Sequence, residues 1–506
     1  MLACLPILVT ALPPLGDYPN HLARAHILAH WQDNELFQQV FELDSLLLPN
    51  VLTDILVAGF SRWIGTLAAG QALLLLILIL TLVGAFVLNA AATRQPSNWP
   101  LIAALFLYNE VFFMGFLNYL LGIALVLWGC AAWLLLEPDR RYWQWATTCL
   151  FALLILFSHL VAFGLFAVAI LVLEADSLRR RWHGDVAKQL VRIAATVMAF
   201  APATLLYLVI SPARGLPFVL IFDQDDLLFK KLSPFTRILS SGNTSFDLIV
   251  LAGAVLIILG AFVCRSVSLE PRLAAISAAF ALLTLILPHG AMESYFLDKR
   301  IPVPTVILFL AALQPRREGH QGVWVAAILA LLVLRSSVLT LNWQATGRDY
   351  AAVLEGLRSL PERTLVIPGT SLMVPYAQTW FLTSTHFPPW MHVANYATIV
   401  KGSVIPDIFA KRGQNPVVFQ PTSAALRAVI KRPDLGVESD GALRSLAALA
   451  SVVRQTDPVF VSRGVHLLLF GVTCDRWLAL IPFPPLFCGN DFSIVEIPDE
   501  ISPDAV

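Results

Sequence analysis

The residues most able to do chemistry lie close together near the start of the chain, in Gly16-Asp17-Tyr18-Pro19-Asn20-His21-Leu22-Ala23-Arg24, directly after the apolar run 1–15. An ionised carboxylate can take a proton, an imidazole can orient a hydroxyl, and a guanidinium can hold a phosphate. No other stretch crowds these three groups at the mouth of a hydrophobic segment. Pro19 is pre-set for a first helical turn and cannot continue one already begun, so a helix is predicted to start here with Asp17 or Tyr18 near its cap. His21, Arg24 and Leu28 would share one face of it. The plainer alternative is that Asp17 only caps the helix and Arg24 snorkels toward headgroups.

A second polar group is the stretch 288–302, which holds His289, Glu293, Lys299 and Arg300 between apolar segments. On its own it reads equally well as a solvated turn with a basic anchor. His159 follows Ser158 at a predicted helix end in otherwise apolar sequence, where an interfacial histidine is the simpler account. Asp223, Asp225 and Asp226 precede Lys230 and Lys231. Such acids can bind a divalent ion, but a charge run in a loop is more often just solvated. No residue is therefore assigned to a metal, and a divalent ion stays an open question.

The elements that position these groups belong to a membrane. Hydrophobic residues make up 58% of the 506, charged residues only 13%, and the mean hydropathy is +0.73, values foreign to a water-soluble chain of this length. The formal charge is zero, and neither a phosphate-cradling glycine loop nor paired CxxC motifs occur, so nothing points to nucleic acid. The run 1–15 lacks the basic flank and small-residue cleavage site of a secretory signal. It is read as a first transmembrane helix, short for a span and cut short at its cytoplasmic end.

The segment 50–65 carries Asp54 and Arg62 among apolar residues and is expected to lie along the interface. Spans near 71–91, 101–115, 120–136, 145–158, 159–173, 191–210, 248–264, 273–288, 302–313 and 323–341 then alternate sides. Arg94, Arg140 with Arg141, Arg179 to Arg181 with Lys188, Arg265 with Arg272, and Arg316 with Arg317 all fall on one side, the expected cytoplasm. The other side collects Asp17, the Asn118-Tyr119 corner, His159, the loop 211–246, the connection 289–300 and everything after residue 342. Lys299 and Arg300 thus sit where positive charge is scarce, which a phosphate would explain. The expected fold is a polytopic α-helical membrane protein of about eleven spans over 1–341, with a first outer loop at 16–69 containing membrane-parallel helices.

Beyond residue 347 charged residues and prolines rise and the long apolar runs stop. Helical spacing at 348–360 and strand-like runs at 364–368, 458–462, 466–472 and 492–497 predict an extracytoplasmic α/β domain over 342–506. Cys4, Cys130, Cys149 and Cys264 lie in apolar spans and read as packing residues. Cys474 and Cys488 stand alone in the outer domain, at a spacing that can close a loop in an oxidising compartment.

A first span ending in an acidic residue, an outer loop with helices along the membrane, about eleven spans and a C-terminal outer α/β domain together resemble the GT-C superfamily of integral-membrane glycosyltransferases. Bacterial members that take sugars from polyprenyl-phosphate carriers are the nearest in kind. The resemblance implies that Asp17 is a general base in an inverting transfer to a lipid or glycan acceptor on the outer side of the bacterial inner membrane. Arg24, Lys299 and Arg300 would hold the departing phosphate, His21 would stand with Asp17 as a catalytic residue that orients the acceptor, and His159, His289 and Glu293 would line the substrates. Many such proteins carry a second acid beside the first, often linked to a metal, whereas Tyr18 stands there here. Two other classes stay open: a lipid-linked glycan polymerase, ligase or transporter working through Asn109, Glu110 and Asn118, and a non-catalytic envelope assembly protein.

Overall fold

The computed structural model describes residues 1–136, 140–180, 186–210, 219–222, 227–291, 294–316, 321–370, 392–421, 423–431, 437, 439–481 and 483–498. They form two compact units. One holds Met1–Leu8, Leu47–Thr53 and Leu73–Leu341; the other holds Val9–Leu46, Asp54–Ala72 and Asn342–Val506. Most of the first loop, which the sequence reading placed in a domain 1–341, therefore clusters with the chain after residue 342.

The first unit is built from apolar helices. Among the described residues five helices are long and apolar enough to cross a membrane: Thr66–Thr93, Leu117–Leu135, Leu160–Arg180, Thr244–Val263 and Gln321–Ser359. A sixth results if Gln189–Met198 and Ala201–Ile210, bent by 42°, are one span. The chain is a polytopic helical membrane protein. Several of the eleven expected spans are shorter pieces. The run 1–15 forms only a 3₁₀ turn and the helix Leu5–Val9, ahead of Pro13 and Pro14. The run 101–115 is split into the 3₁₀ helix Trp99–Phe106 and the helix Glu110–Phe113. Asn109 makes that break, because its side chain accepts from the Phe112 amide at 3.0 Å and donates to the Phe106 and Leu107 carbonyls. The runs at 273–288 and 302–313 fold as Pro271–Ile286 and Pro302–Ala311.

Small residues let these helices approach. On Leu117–Leu135, a Cβ placed on Gly122 would come within 2.7 Å of Ala162, and one on Gly129 within 2.7 Å of the Phe166 ring, both on Leu160–Arg180. Buried charge is paired. Arg335 donates through Nη1 to Asp247 at 2.9 Å and through Nη2 to the Tyr108 and Ser240 carbonyls at 2.8 and 2.9 Å, which pairs its charge deep among apolar helices.

The second unit is centred on a four-stranded sheet in the order Pro485–Cys488, Phe492–Glu496, Val465–Phe470, Leu365–Thr370, with only the last pair parallel. Three of these strands lie where β-branched and aromatic runs predict them. The fourth predicted run, 458–462, is a turn instead. The Asp457 carboxylate accepts from the Val459 amide at 2.9 Å, its carbonyl accepts from Phe460 and Val461, and Pro458 has no amide to give to a ladder. The first loop completes this core. Ala23 and Ile27, one turn apart on the helix Tyr18–His30, are buried in the same cluster as Leu365, Ile367, Val465 and Leu467. The strand Phe41–Leu43 pairs antiparallel with Val417–Phe419.

Cys474, first residue of the helix Cys474–Leu480, is bonded to Cys488 at the end of the edge strand. Closing a loop with a sequence separation of 14 restricts the unfolded chain by about 3 kcal/mol in the chain-entropy model. Replacing both cysteines by serine should therefore speed native-state hydrogen exchange of the Phe492–Glu496 amides by about a hundred-fold, since each 1.4 kcal/mol is a factor of ten. Unchanged exchange in the double variant would show that the bond adds nothing to this sheet.

Candidate functional site

The helix Tyr18–His30 begins where Pro19 predicts, with Asp17 at its N-cap position. Asp17 has φ −78° and ψ −7°, a helical rather than an extended conformation, and its carboxylate makes no cap hydrogen bond. Instead its Oδ1 lies 3.6 Å from Nε2 of His392. On the far side of that ring, Nδ1 lies 3.1 Å from Oδ2 of Asp407 and 3.4 Å from Nδ2 of Asn20. An ionised carboxylate can only accept, so the shorter contact to Asp407 calls for a proton on Nδ1. The other Asp407 oxygen accepts from Asn395 Nδ2 at 3.1 Å. Asn20 clamps the backbone here, donating to the Asp407 carbonyl at 3.0 Å and accepting from the Phe409 amide at 2.7 Å. Burial disfavours a charged His392. The hydrogen bond and charge of Asp407 and the charge of Asp17 outweigh that burial and raise its pKa above the ordinary imidazole value.

Arg24, four residues after Asn20, reaches a different partner. Its Nε and Nη2 donate to the two oxygens of Asp54 at 2.9 Å each, and both side chains are almost fully buried. A third contact joins Nη2 to Nδ1 of His21 at 2.9 Å. The guanidinium can only donate, so His21 accepts there and is neutral, and burial with the Arg24 charge holds its pKa well below the ordinary value. Arg24 was expected to meet a phosphate. Its charge is instead neutralised by a bidentate buried carboxylate, and its role is to fix Asp54 and His21 in place.

The first unit gathers the second group of expected residues. The short helix Leu297–Arg300 follows a small hairpin, with its N-terminus tied to the His289 carbonyl by the Leu297 amide at 2.9 Å. Arg300 donates to His159 Nε2 at 2.8 Å and to the Tyr295 carbonyl at 3.1 Å, and its guanidinium lies 4.4 Å from the centre of the Phe116 ring. The imidazole, the carbonyl and the aromatic face orient the guanidinium. Tyr119 reinforces the corner by donating to the Arg300 carbonyl at 3.0 Å. Lys299 lies over the ring of Phe296, a residue held at φ +61° in the left-handed region, where a bulky side chain is strained. The Nδ1 of His289 is 3.1 Å from Asp298, which also pairs with Lys231 at 2.6 Å.

The structure thus brings His159, His289, Lys299 and Arg300 together in one unit and Asp17, His21 and Arg24 together in the other. Glu293, and the acids Asp223, Asp225 and Asp226, lie outside the described residues. Among the described residues, no three His, Cys, Asp or Glu side chains are grouped as a metal site. The polar residues that would have served transport have local duties: Asn109 caps a helix, Glu110 pairs with Arg237 at 3.4 Å, and Asn118 accepts from Thr53 and donates to the Asn50 carbonyl. Sequence reasoning missed His392, Asp407 and the true partner of Arg24. Asp54 was visible as an acid in an apolar helix, and the need to pair it was a usable signal. His392 and Asp407 carried none.

The buried pair makes a stability prediction. Asp54→Asn leaves the Arg24 charge uncompensated and should destabilise the second unit by about 3–5 kcal/mol. Adding Arg24→Met should restore most of the thermal midpoint. A double variant no more stable than Asp54→Asn would show that the pair does not carry this cost.

No protein-family model and no curated protein matches this sequence. Among solved structures, ArnT from Cupriavidus metallidurans in the apo state is similar with a TM-score of 0.50 and 13% identity, over 98% of this chain and 96% of that one. ArnT bound to undecaprenyl phosphate gives a TM-score of 0.48 and 15% identity over the same shares. At such identity the likeness is one of fold, and the chain has the fold of ArnT, a GT-C membrane glycosyltransferase.

Proposed function

We propose that this protein is an inverting membrane glycosyltransferase that moves a sugar from a polyprenyl-phosphate donor to a hydroxyl of a lipid or glycan acceptor, on the outer side of a bacterial inner membrane. The observation that carries this reading is the Asp17 carboxylate. It stands at a helix N-cap yet is withheld from the helix amides, its side chain keeps 17% of its surface exposed, and a buried histidine holds it from behind. Those features support the reading of Asp17 as a base. The shared fold with ArnT supports the class.

In the reaction Asp17 takes the proton of the acceptor hydroxyl as its oxygen bonds to the anomeric carbon, while the carbon–oxygen bond to phosphate breaks and polyprenyl phosphate departs. The leaving group carries the new negative charge and needs a cation. Arg300 is the candidate, with Lys299 as a second, and His159 and the Tyr295 carbonyl hold the Arg300 guanidinium in place. His159 orients Arg300, and Asp298 ties His289 to Lys231. A donor of this kind arrives through the bilayer, so no nucleotide site is needed.

Asp17→Asn keeps the size and capping ability of the side chain and removes the proton acceptor. It should leave the thermal midpoint nearly unchanged and lower transfer from a polyprenyl-phosphate sugar by about a hundred-fold or more. Near-normal transfer by this variant would remove Asp17 as the base. Arg300→Ala should raise the donor KM and also lower kcat, since a cation facing the leaving phosphate acts in the ground state and more strongly in the transition state. An Arg300→Ala enzyme with unchanged kcat and KM would exclude the assigned phosphate contact.

A further inference from the structure

In the second unit, three side chains stand in line: Asp407, His392 and Asp17, with the ring spanning the two carboxylates through its opposite nitrogens at 3.1 and 3.6 Å. We propose that His392, held by Asp407, is a positioning residue that presents its Nε2 proton to Asp17, so that Asp17 is kept ionised and aimed for its work as the base. This rests on the reading of Asp17 as the base.

The surroundings are built for such a clamp. His392 is buried, its ring meets that of Phe409 edge-on at 5.0 Å, and Asp407 is fixed by Asn395 and by the Asn20 clamp on its backbone. A buried imidazole set between two carboxylates does more than pack, because each of its N–H groups faces a negative charge at close range. Charged on both nitrogens, it compensates both. Among the described residues, these charged and titratable groups face it. Asp17 and His21 come from the helix Tyr18–His30, Asp407 comes from the loop after Tyr396–Lys401, and Arg24 acts through His21 and is itself bound to Asp54. His21 is neutral, so it does not compete for the carboxylates. The proton stays on His392 during transfer, and Asp17 alone exchanges a proton with the acceptor.

Two measurements on the full chain in detergent separate this inference from the reading beneath it. The first needs no substrate: the imidazole ¹⁵N signals of His392, identified by their loss in His392→Gln, are followed against pH. Asp17→Asn and Asp407→Asn should each move the His392 titration down by about one pH unit or more, as expected for removing a facing carboxylate. A titration unmoved by Asp17→Asn would overturn the proposal. The second is the pH profile of transfer. In His392→Gln the acid limb of kcat/KM should move to higher pH with the donor KM unchanged, and Asp407→Asn should move it the same way. If Asp17→Asn abolishes transfer while His392→Gln leaves the profile in place, this inference fails and the base assignment stands. If Asp17→Asn is active, the base assignment fails, and the ¹⁵N titration alone decides the clamp.

Discussion

Arg24 keeps a full positive charge where about 1% of its surface meets solvent, and the Asp54 carboxylate is what makes that tolerable. Much of the second unit's polar geometry descends from this pair. Because Nε and Nη2 are both committed to Asp54, the remaining reach of Nη2 fixes His21 as an acceptor and hence as a neutral ring. The same helix then presents Asn20 to residues 407–409 and Ala23 with Ile27 to the sheet core. One buried ion pair therefore sets the rotation of Tyr18–His30, and that rotation decides which way Asp17 faces. The chain applies the same rule at Arg335 with Asp247 and at Lys231 with Asp298.

That rule also sorts the cations by duty. A guanidinium gripped by a carboxylate has little field left for a ligand, whereas one steadied by an imidazole, a carbonyl and an aromatic face keeps its field. Arg24 and Arg335 are gripped by carboxylates, as is the Lys231 ammonium, whereas His159, the Tyr295 carbonyl and the Phe116 ring steady Arg300. Residue type alone could not make this distinction, since all of these cations interrupt apolar sequence in much the same way.

What was legible in the sequence follows the range of the forces involved. Local signals held: Pro19 started its helix, the spans with unbroken apolar runs formed, and the β-branched stretches at 364–368, 466–472 and 492–497 became neighbouring strands. Local chemistry also explains the misses. Asn109 split one apolar run and Asp457 turned another aside, each through hydrogen bonds to backbone only two or three residues away. Non-local partners were out of reach. Asp54 lies 30 residues from Arg24 and Asp407 lies 387 from Asn20, and no periodicity relates positions so far apart. The association of the first loop with the chain beyond residue 342 is of the same kind, because the pairing of Phe41–Leu43 with Val417–Phe419 depends on edges that neither segment advertises.

The N-terminus of Tyr18–His30 shows how function and stability part at a single residue. An aspartate at an N-cap normally swings over the first turn and accepts from an amide, a contact worth about 1 kcal/mol, and it does so from an extended backbone. Asp17 sits at a helical ψ instead, its carbonyl already accepts from His21 at 3.0 Å, and its carboxylate is turned toward His392. The helix forgoes a cap that the residue type could have supplied. Its start is secured by other means, through Pro19 at the first turn and the burial of Tyr18, whose hydroxyl crowds the position a Cβ on Gly70 would occupy. Because Gly70 gives that hydroxyl room, Tyr18 can be buried at the residue next to the carboxylate, where many GT-C proteins carry a second acid. A second carboxylate at that place would be enclosed beside the first and would compete for the same imidazolium. With tyrosine there, position 18 adds no further carboxylate to Asp17 and Asp407 around His392.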